Sequence, residues 1–280
     1  MKNGTEAPAG TSDQWELPAG KQSAEAIEKA RARQERRAAV EQEIRNLWLP
    51  FAQDILNLFA SGYNLVVLAA PGGSGKSYNL FPLVTAGLRS AGRNPCGFDA
   101  FSQRNRLSQI IDDPSSSYDS FLLDEADSVP EEEIVKLFES LESGGKNVQL
   151  LVVIRQPGSD NRTAAANIWV NEASAHGCSA VIYDQLRPIE LSLDLARRFF
   201  QDYLSNKNNR YVDFLINNFP RHLRLLKKLV SLRLPDKLLI EWKAFARSGE
   251  NSGLSQAQID DVNKRMPEIL KNFPQPTEFE

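Results

Sequence analysis

Five short apolar runs, each closed by small or polar residues, punctuate the middle of the chain at intervals that leave room for a helix between them. They predict strands over residues 64–70, 95–101, 120–124, 147–154 and 180–185. The stretches between them carry the helical period. Over residues 131–142, Ile134, Leu137, Phe138 and Leu141 mark one apolar face, and Gly144 with Gly145 supplies the stop. Alternating strands and helices build a parallel sheet covered on both sides, so the expected fold class is α/β with a central parallel sheet flanked by helices.

Beyond residue 191 the apolar spacing is helical throughout, with helices predicted over 192–205, 210–218, 220–233, 235–248 and 255–272. A small all-helical domain therefore follows the sheet. Upstream of the first strand, Ile44, Leu47, Trp48, Phe51, Ile55, Leu56 and Phe59 repeat at helical spacing, with Pro50 as the expected break, so this stretch should dock on the core. Before it, charges of both signs crowd Lys29 to Arg45, which reads as a solvated helix or as an arm for a partner or nucleic acid. The division is a disordered leader (1–22), an N-terminal helical segment (23–60), the sheet core (61–190), the helical domain (191–273) and a tail (274–280).

Composition sets limits on this picture. With 280 residues, 41% of them hydrophobic, and a formal charge of −3, the chain has apolar surface for one good core and a smaller one. No apolar run approaches the roughly twenty residues of a membrane span, and the N-terminus lacks a secretory apolar stretch. A soluble, cytoplasmic protein with no membrane partner is expected. Cys96 and Cys178 have no CxxC or paired-histidine neighbours and read as packing residues. His176 and His222 lie near no Ser or Cys nucleophile signature.

The first strand ends in a turn with a chemical spelling. Residues 64–77 read NLVVLAAPGGSGKS. A triphosphate needs converging backbone N–H groups and no side chain in the way, and Gly72, Gly73 and Gly75 permit both. This segment resembles a Walker A loop, which makes Pro71, Gly72, Gly73, Ser74, Gly75, Lys76, Ser77 and Tyr78 the expected nucleotide-binding residues. The resemblance has Lys76 reach the β- and γ-phosphates and Ser77 ligate Mg²⁺. Ala70 stands where the motif usually opens with glycine, and Pro82 falls about two turns into the expected helix, where it removes a donor.

Residues 120–127, SFLLDEAD, form an apolar strand ending in carboxylates and resemble a Walker B box. In that resemblance Asp124 holds the magnesium and Glu125 polarises the attacking water. Asp127 with Glu131, Glu132 and Glu133 reads as the acidic start of the next helix. The fourth strand ends in Arg155 and Gln156, which is either a γ-phosphate-sensing position or an ordinary polar strand end. An arginine there resembles the STAND branch of the AAA+ superfamily, and a glutamine followed by proline resembles packaging and conjugation ATPases of the FtsK and HerA type.

The segment LRPIELSLDLARRFF resembles the passage into the helical lid of AAA+ and STAND ATPases, and NFPRHLRLLKKLV resembles their sensor 2 segment, with Asn218 where glycine is common. By that resemblance Arg221 turns toward the γ-phosphate, and the alternative is a basic surface on an amphipathic helix. The arginine finger usual before the fifth strand is missing, and Arg162 and Arg187 are the nearest candidates. Residues 207–247 hold ten Lys and Arg against Asp213, Asp236 and Glu241, which admits nucleic acid as a partner beside a solvated basic face. The expected protein is thus a P-loop ATPase of the initiator-like AAA+ or STAND kind. It would take ATP and Mg²⁺, with Lys76, Glu125, Arg155, Gln156 and Arg221 as its catalytic set, and would act on a protein partner or by self-assembly. A DNA-translocating ATPase, a P-loop small-molecule kinase and a weakly active nucleotide-gated scaffold are the alternatives.

Overall fold

A computed structural model describes residues 24–71, 75–103, 107–111, 113, 117–144, 147–156, 161–186, 189–201, 209–232, 234–247 and 253–274. Gly72, Gly73, Ser74, Arg187, the expected leader and most of the expected tail lie outside them. The sheet has five parallel strands, β1 (Leu65–Pro71), β2 (Pro95–Asp99), β3 (Ser120–Asp124), β4 (Gln149–Gln156) and β5 (Ala180–Tyr183), in the order β2-β3-β4-β1-β5. The α/β P-loop fold read from the sequence is the fold observed.

The central strand β1 shows why the sheet must be covered on both sides. Leu65 and Val67 face one apolar cluster, Val66, Leu68 and Ala70 face the other, and all five are fully buried. Helices α5 (Leu107–Ile111), α6 (Glu131–Gly144) and α7 (Asn161–Ala175) cover the first face, where Phe138 and Trp169 meet edge to face at 6.2 Å. On the second face lie α2 (Leu49–Ala60), α3 (Phe81–Ser90) and the C-terminal helices.

Local chemistry moves several boundaries. β4 runs on through Arg155 and Gln156, because Ala70 and Pro71 of β1 extend far enough to pair with them. β2 stops at Asp99, whose carboxylate accepts the Phe101 backbone N–H and starts the short helix α4 (Ala100–Gln103). The helical stretch breaks just ahead of Pro50: α1 (Ala24–Asn46) ends before the turn at Leu47 and Trp48, and Pro50 sits in the first turn of α2, where its missing N–H costs nothing. Pro82 acts similarly. A π-helical turn over Lys76–Leu80 follows the loop, and α3 restarts behind it with Pro82 in its own first turn.

Five helices follow the sheet, α8 (Leu193–Gln201), α9 (Asn209–Asn218), α10 (Leu223–Val230), α11 (Pro235–Arg247) and α12 (Gln256–Lys271). Tyr211 Oη donates to the Leu229 carbonyl at 3.0 Å, Trp242 Nε1 donates to Asn263 Oδ1 at 2.9 Å, and a Ser255–Gln258 capping box opens α12. An antiparallel bridge between Glu190 and His222 ties the connection after β5 to the start of α10. Arg198 of α8 grips both carboxylate oxygens of Glu43 in α1 at 2.8 Å. No helix among the described residues is long and apolar enough to cross a membrane.

Phe138 is 1% exposed and anchors the first face. Phe138→Ala is expected to destabilise the fold by about 3–5 kcal/mol, read as a lower midpoint in urea denaturation, since it leaves a cavity beside Trp169.

Candidate functional site

The sheet order brings the site together. With β4 between β1 and β3, the carboxyl ends of all three strands open on one edge, and Arg155 lies between the residues leaving β1 and those leaving β3. Gly75, which closes the loop after β1, has φ +82°, and a Cβ there would stand 2.6 Å from Cζ2 of Trp48. Only glycine fits that combination of backbone and close approach. Lys76 is buried, and its Nζ donates to the Ala70 carbonyl at 3.1 Å, so the ammonium folds back over the end of β1. The next residue reaches across the sheet: Ser77 Oγ donates to Asp124 Oδ2.

Asp124 uses its other oxygen to accept the Glu125 N–H at 3.0 Å. Glu125 has φ +56°, the one non-glycine residue with positive φ among the described residues. An acidic side chain held in the left-handed region at a strand end is strain kept at a site. The Ser128 hydroxyl supports it by donating to the Glu125 carbonyl at 2.8 Å. Arg155 forms ion pairs with Glu125 at 3.5 Å and with Asp127 at 3.6 Å, and its backbone N–H donates to Asp127 Oδ1 at 3.4 Å. Asp127, which the sequence reads as a helix start, is thus a brace for Arg155.

Gly75, Lys76, Ser77, Asp124, Glu125 and Arg155 line a cavity of about 870 Å³ that extends to the C-terminal helices. Trp48, Tyr78, Ile189, His222, Arg224 and Lys227 are among the residues that complete its wall. Arg221 is placed elsewhere: its Nε donates to the Leu191 carbonyl at 2.8 Å and its guanidinium pairs with Glu190 at 3.2 Å. Gln156 ends β4, Pro71 ends β1 and Arg162 lies in the first turn of α7, and the side chains of these three are outside the described residues.

A hydroxyl and a carboxylate in direct contact form a hard oxygen donor set of the kind that Mg²⁺ takes alongside phosphate and water. Ser77 and Asp124 therefore fit that ion. Among the described residues no group of three or more His, Cys, Asp and Glu forms a cage for a metal held by protein alone.

No known protein family matches the chain, and no curated protein does. Solved structures share its course more loosely. A DNA replication initiation factor is 16% identical, with 80% of this chain and 77% of that one covered and a TM-score of 0.42. AMPPCP-bound DnaA from Aquifex aeolicus is 17% identical, with 78% and 66% covered and a TM-score of 0.37. RIF2 from Saccharomyces cerevisiae is 12% identical, with 87% and 99% covered and a TM-score of 0.39.

Trp48, Arg224, Lys227 and His222 escaped the sequence reading as site residues. Trp48 shows the same apolar spacing as its core neighbours, and Arg224 and Lys227 are two cations among many on a basic helix. His222 caps α10 with extended backbone, and its Nε2 lies 3.3 Å from Gln258 Nε2. Burial pushes its imidazole below the ordinary value, against the opposing pull of Glu190 and the Gln258 side chain.

The unfolded chain therefore binds this proton more readily than the folded one, and the stability involved is lost as pH falls below the unfolded value of about 6.5. The unfolding free energy of wild type minus that of His222→Gln should decrease from pH 7 to pH 5, by at most about 1.4 kcal/mol per pH unit. Denaturation curves across that range check it, and a pH-independent difference contradicts it.

Proposed function

We propose that the protein is an ATPase of AAA+ character, in its STAND or initiator-like branch, which binds ATP between the sheet and the helical domain. The observation that carries this reading is the hydrogen bond from Ser77 to Asp124, which joins the two segments resembling Walker boxes. Lys76 exchanges the Ala70 carbonyl for phosphate oxygens, and the loop glycines present backbone N–H groups to the same anion. Ser77 and Asp124 would hold Mg²⁺, which would supply positive charge beside the phosphates. Glu125 takes a proton from water as it attacks the γ-phosphorus, and the bond to the β–γ bridging oxygen breaks so that ADP leaves with that oxygen and inorganic phosphate is released.

Arg155 acts as the sensor on β4. Its pairing with Glu125 supports a role for Arg155 in reading the γ-phosphate. Arg224, on the cavity wall, is the guanidinium we assign to the phosphates from the lid, and Arg221 holds the hinge through Glu190 and Leu191. Hydrolysis then changes the lid angle and remodels or loads a partner. The runs of Lys and Arg in the lid support nucleic acid as one such partner, beside a protein or a second copy of the chain.

A kinase would require an acceptor alcohol where Glu125 aligns water, so turnover by the purified protein separates the readings. Steady-state hydrolysis of ATP should fall at least about a hundredfold in Glu125→Gln, with ATP affinity nearly unchanged, as expected for loss of a general base. Unaltered turnover in that variant would overturn the assignment. Lys76→Ala is expected to weaken ATP binding itself, measured by calorimetry, and adding single-stranded DNA to the hydrolysis assay tests the nucleic-acid partner.

A further inference from the structure

Tyr78 directly follows the phosphate-loop residues and is 59% exposed on the cavity wall. Ser77 points at Asp124, and Tyr78, the next residue of the π-helical turn, projects in a different direction. It faces the lid: Lys227 Nζ of α10 stands 5.8 Å from the centroid of the Tyr78 ring. The same ammonium lies 5.3 Å from the centroid of the Phe199 ring in α8. One cation is thus clasped between an aromatic ring beside the phosphate loop and an aromatic ring of the lid. Apolar atoms of Trp48, Ile189, Leu223 and Leu232 complete the surroundings.

We infer that Tyr78 is the stacking platform for the nucleotide base, and that a purine nucleoside triphosphate displaces Lys227 from the ring as it binds. The inference rests on the phosphate-loop reading. With the β- and γ-phosphates held at Lys76, the base end of the ligand extends away from them along the cavity, whose wall carries Tyr78 opposite Lys227. An exposed cation–π contact is worth about a two- to fivefold preference, whereas stacking of a base on an aromatic ring is worth roughly five- to 150-fold. The base wins the ring face. Lys227 keeps its contact with Phe199 and remains on the wall that carries Arg224, where the phosphates can use its charge. A bicyclic purine covers more of the ring than a pyrimidine and is preferred on that ground.

The test compares binding of ATP, UTP and inorganic tripolyphosphate, each with Mg²⁺, to wild type, Tyr78→Ala, Tyr78→Phe and Lys76→Ala by calorimetry. Tyr78→Ala should lose about tenfold in affinity for ATP, less for UTP and nothing for tripolyphosphate, and Tyr78→Phe should restore ATP binding to within about twofold of wild type. If Tyr78→Ala leaves ATP affinity unchanged, or weakens tripolyphosphate as much as ATP, the platform is overturned while the phosphate loop stands. If wild type binds neither ATP nor tripolyphosphate, or Lys76→Ala binds both normally, the phosphate-loop reading fails and the platform falls with it.

Discussion

The hydrogen bond from Ser77 to Asp124 spans two strands that are not neighbours. Strands in a sheet lie about 4.8 Å apart, so with β4 between them the ends of β1 and β3 are roughly 10 Å apart. Ser77 spans that gap with its hydroxyl. Glycine at position 75, with its positive φ, has no Cβ to strike Trp48. The strand that creates the gap also fills it, since Arg155 at the end of β4 pairs with both Glu125 and Asp127. The cross-sheet contact thus fixes where the loop lands, where the strained Glu125 stands and which cation lies beside it.

The loop is also held from behind. Trp48 is 3% exposed at the junction of α1 and α2, against Gly75. α1 in turn packs on α8 of the helical domain. The ion pair between Arg198 and Glu43 marks that joint, but exposed pairs contribute little. The apolar contacts decide: Val40, Ile44 and Trp48 belong to the same buried cluster as Leu195, Phe199 and Phe200. The N-terminal helices therefore touch Gly75 at one end and α8 at the other.

Strands β1, β3 and β4 were legible because each is a buried apolar run bounded by turn residues, and burial on both faces leaves no other reading for VQLLVV or NLVVLA. The two site segments were legible for a related reason, since glycines and carboxylates that follow such strands must fall at the sheet's carboxyl edge. What the sequence hid depends on long-range geometry. Pro82 reads as a kink until the π-helical turn before it lets α3 begin afresh. Asp127 reads as one more acid before a helix until β4 brings Arg155 within 3.6 Å.

The two lid arginines show where such reading stops. Arg221 and Arg224 are three apart, and on a continuous helix they would share a face. The helix is not continuous there: His222 has an extended backbone, with ψ at 124°, and α10 begins at Leu223. Arg221 therefore belongs to the bridged segment beside Glu190, which is acidic and within reach, while Arg224 lies in the first turn of α10 and lines the cavity. Periodicity could not separate them, because both the basic character and the apolar stripe of Leu225, Leu226 and Leu229 are the same whichever residue starts the helix. One extended residue sends one arginine to Glu190 and Leu191 and the other to the cavity wall.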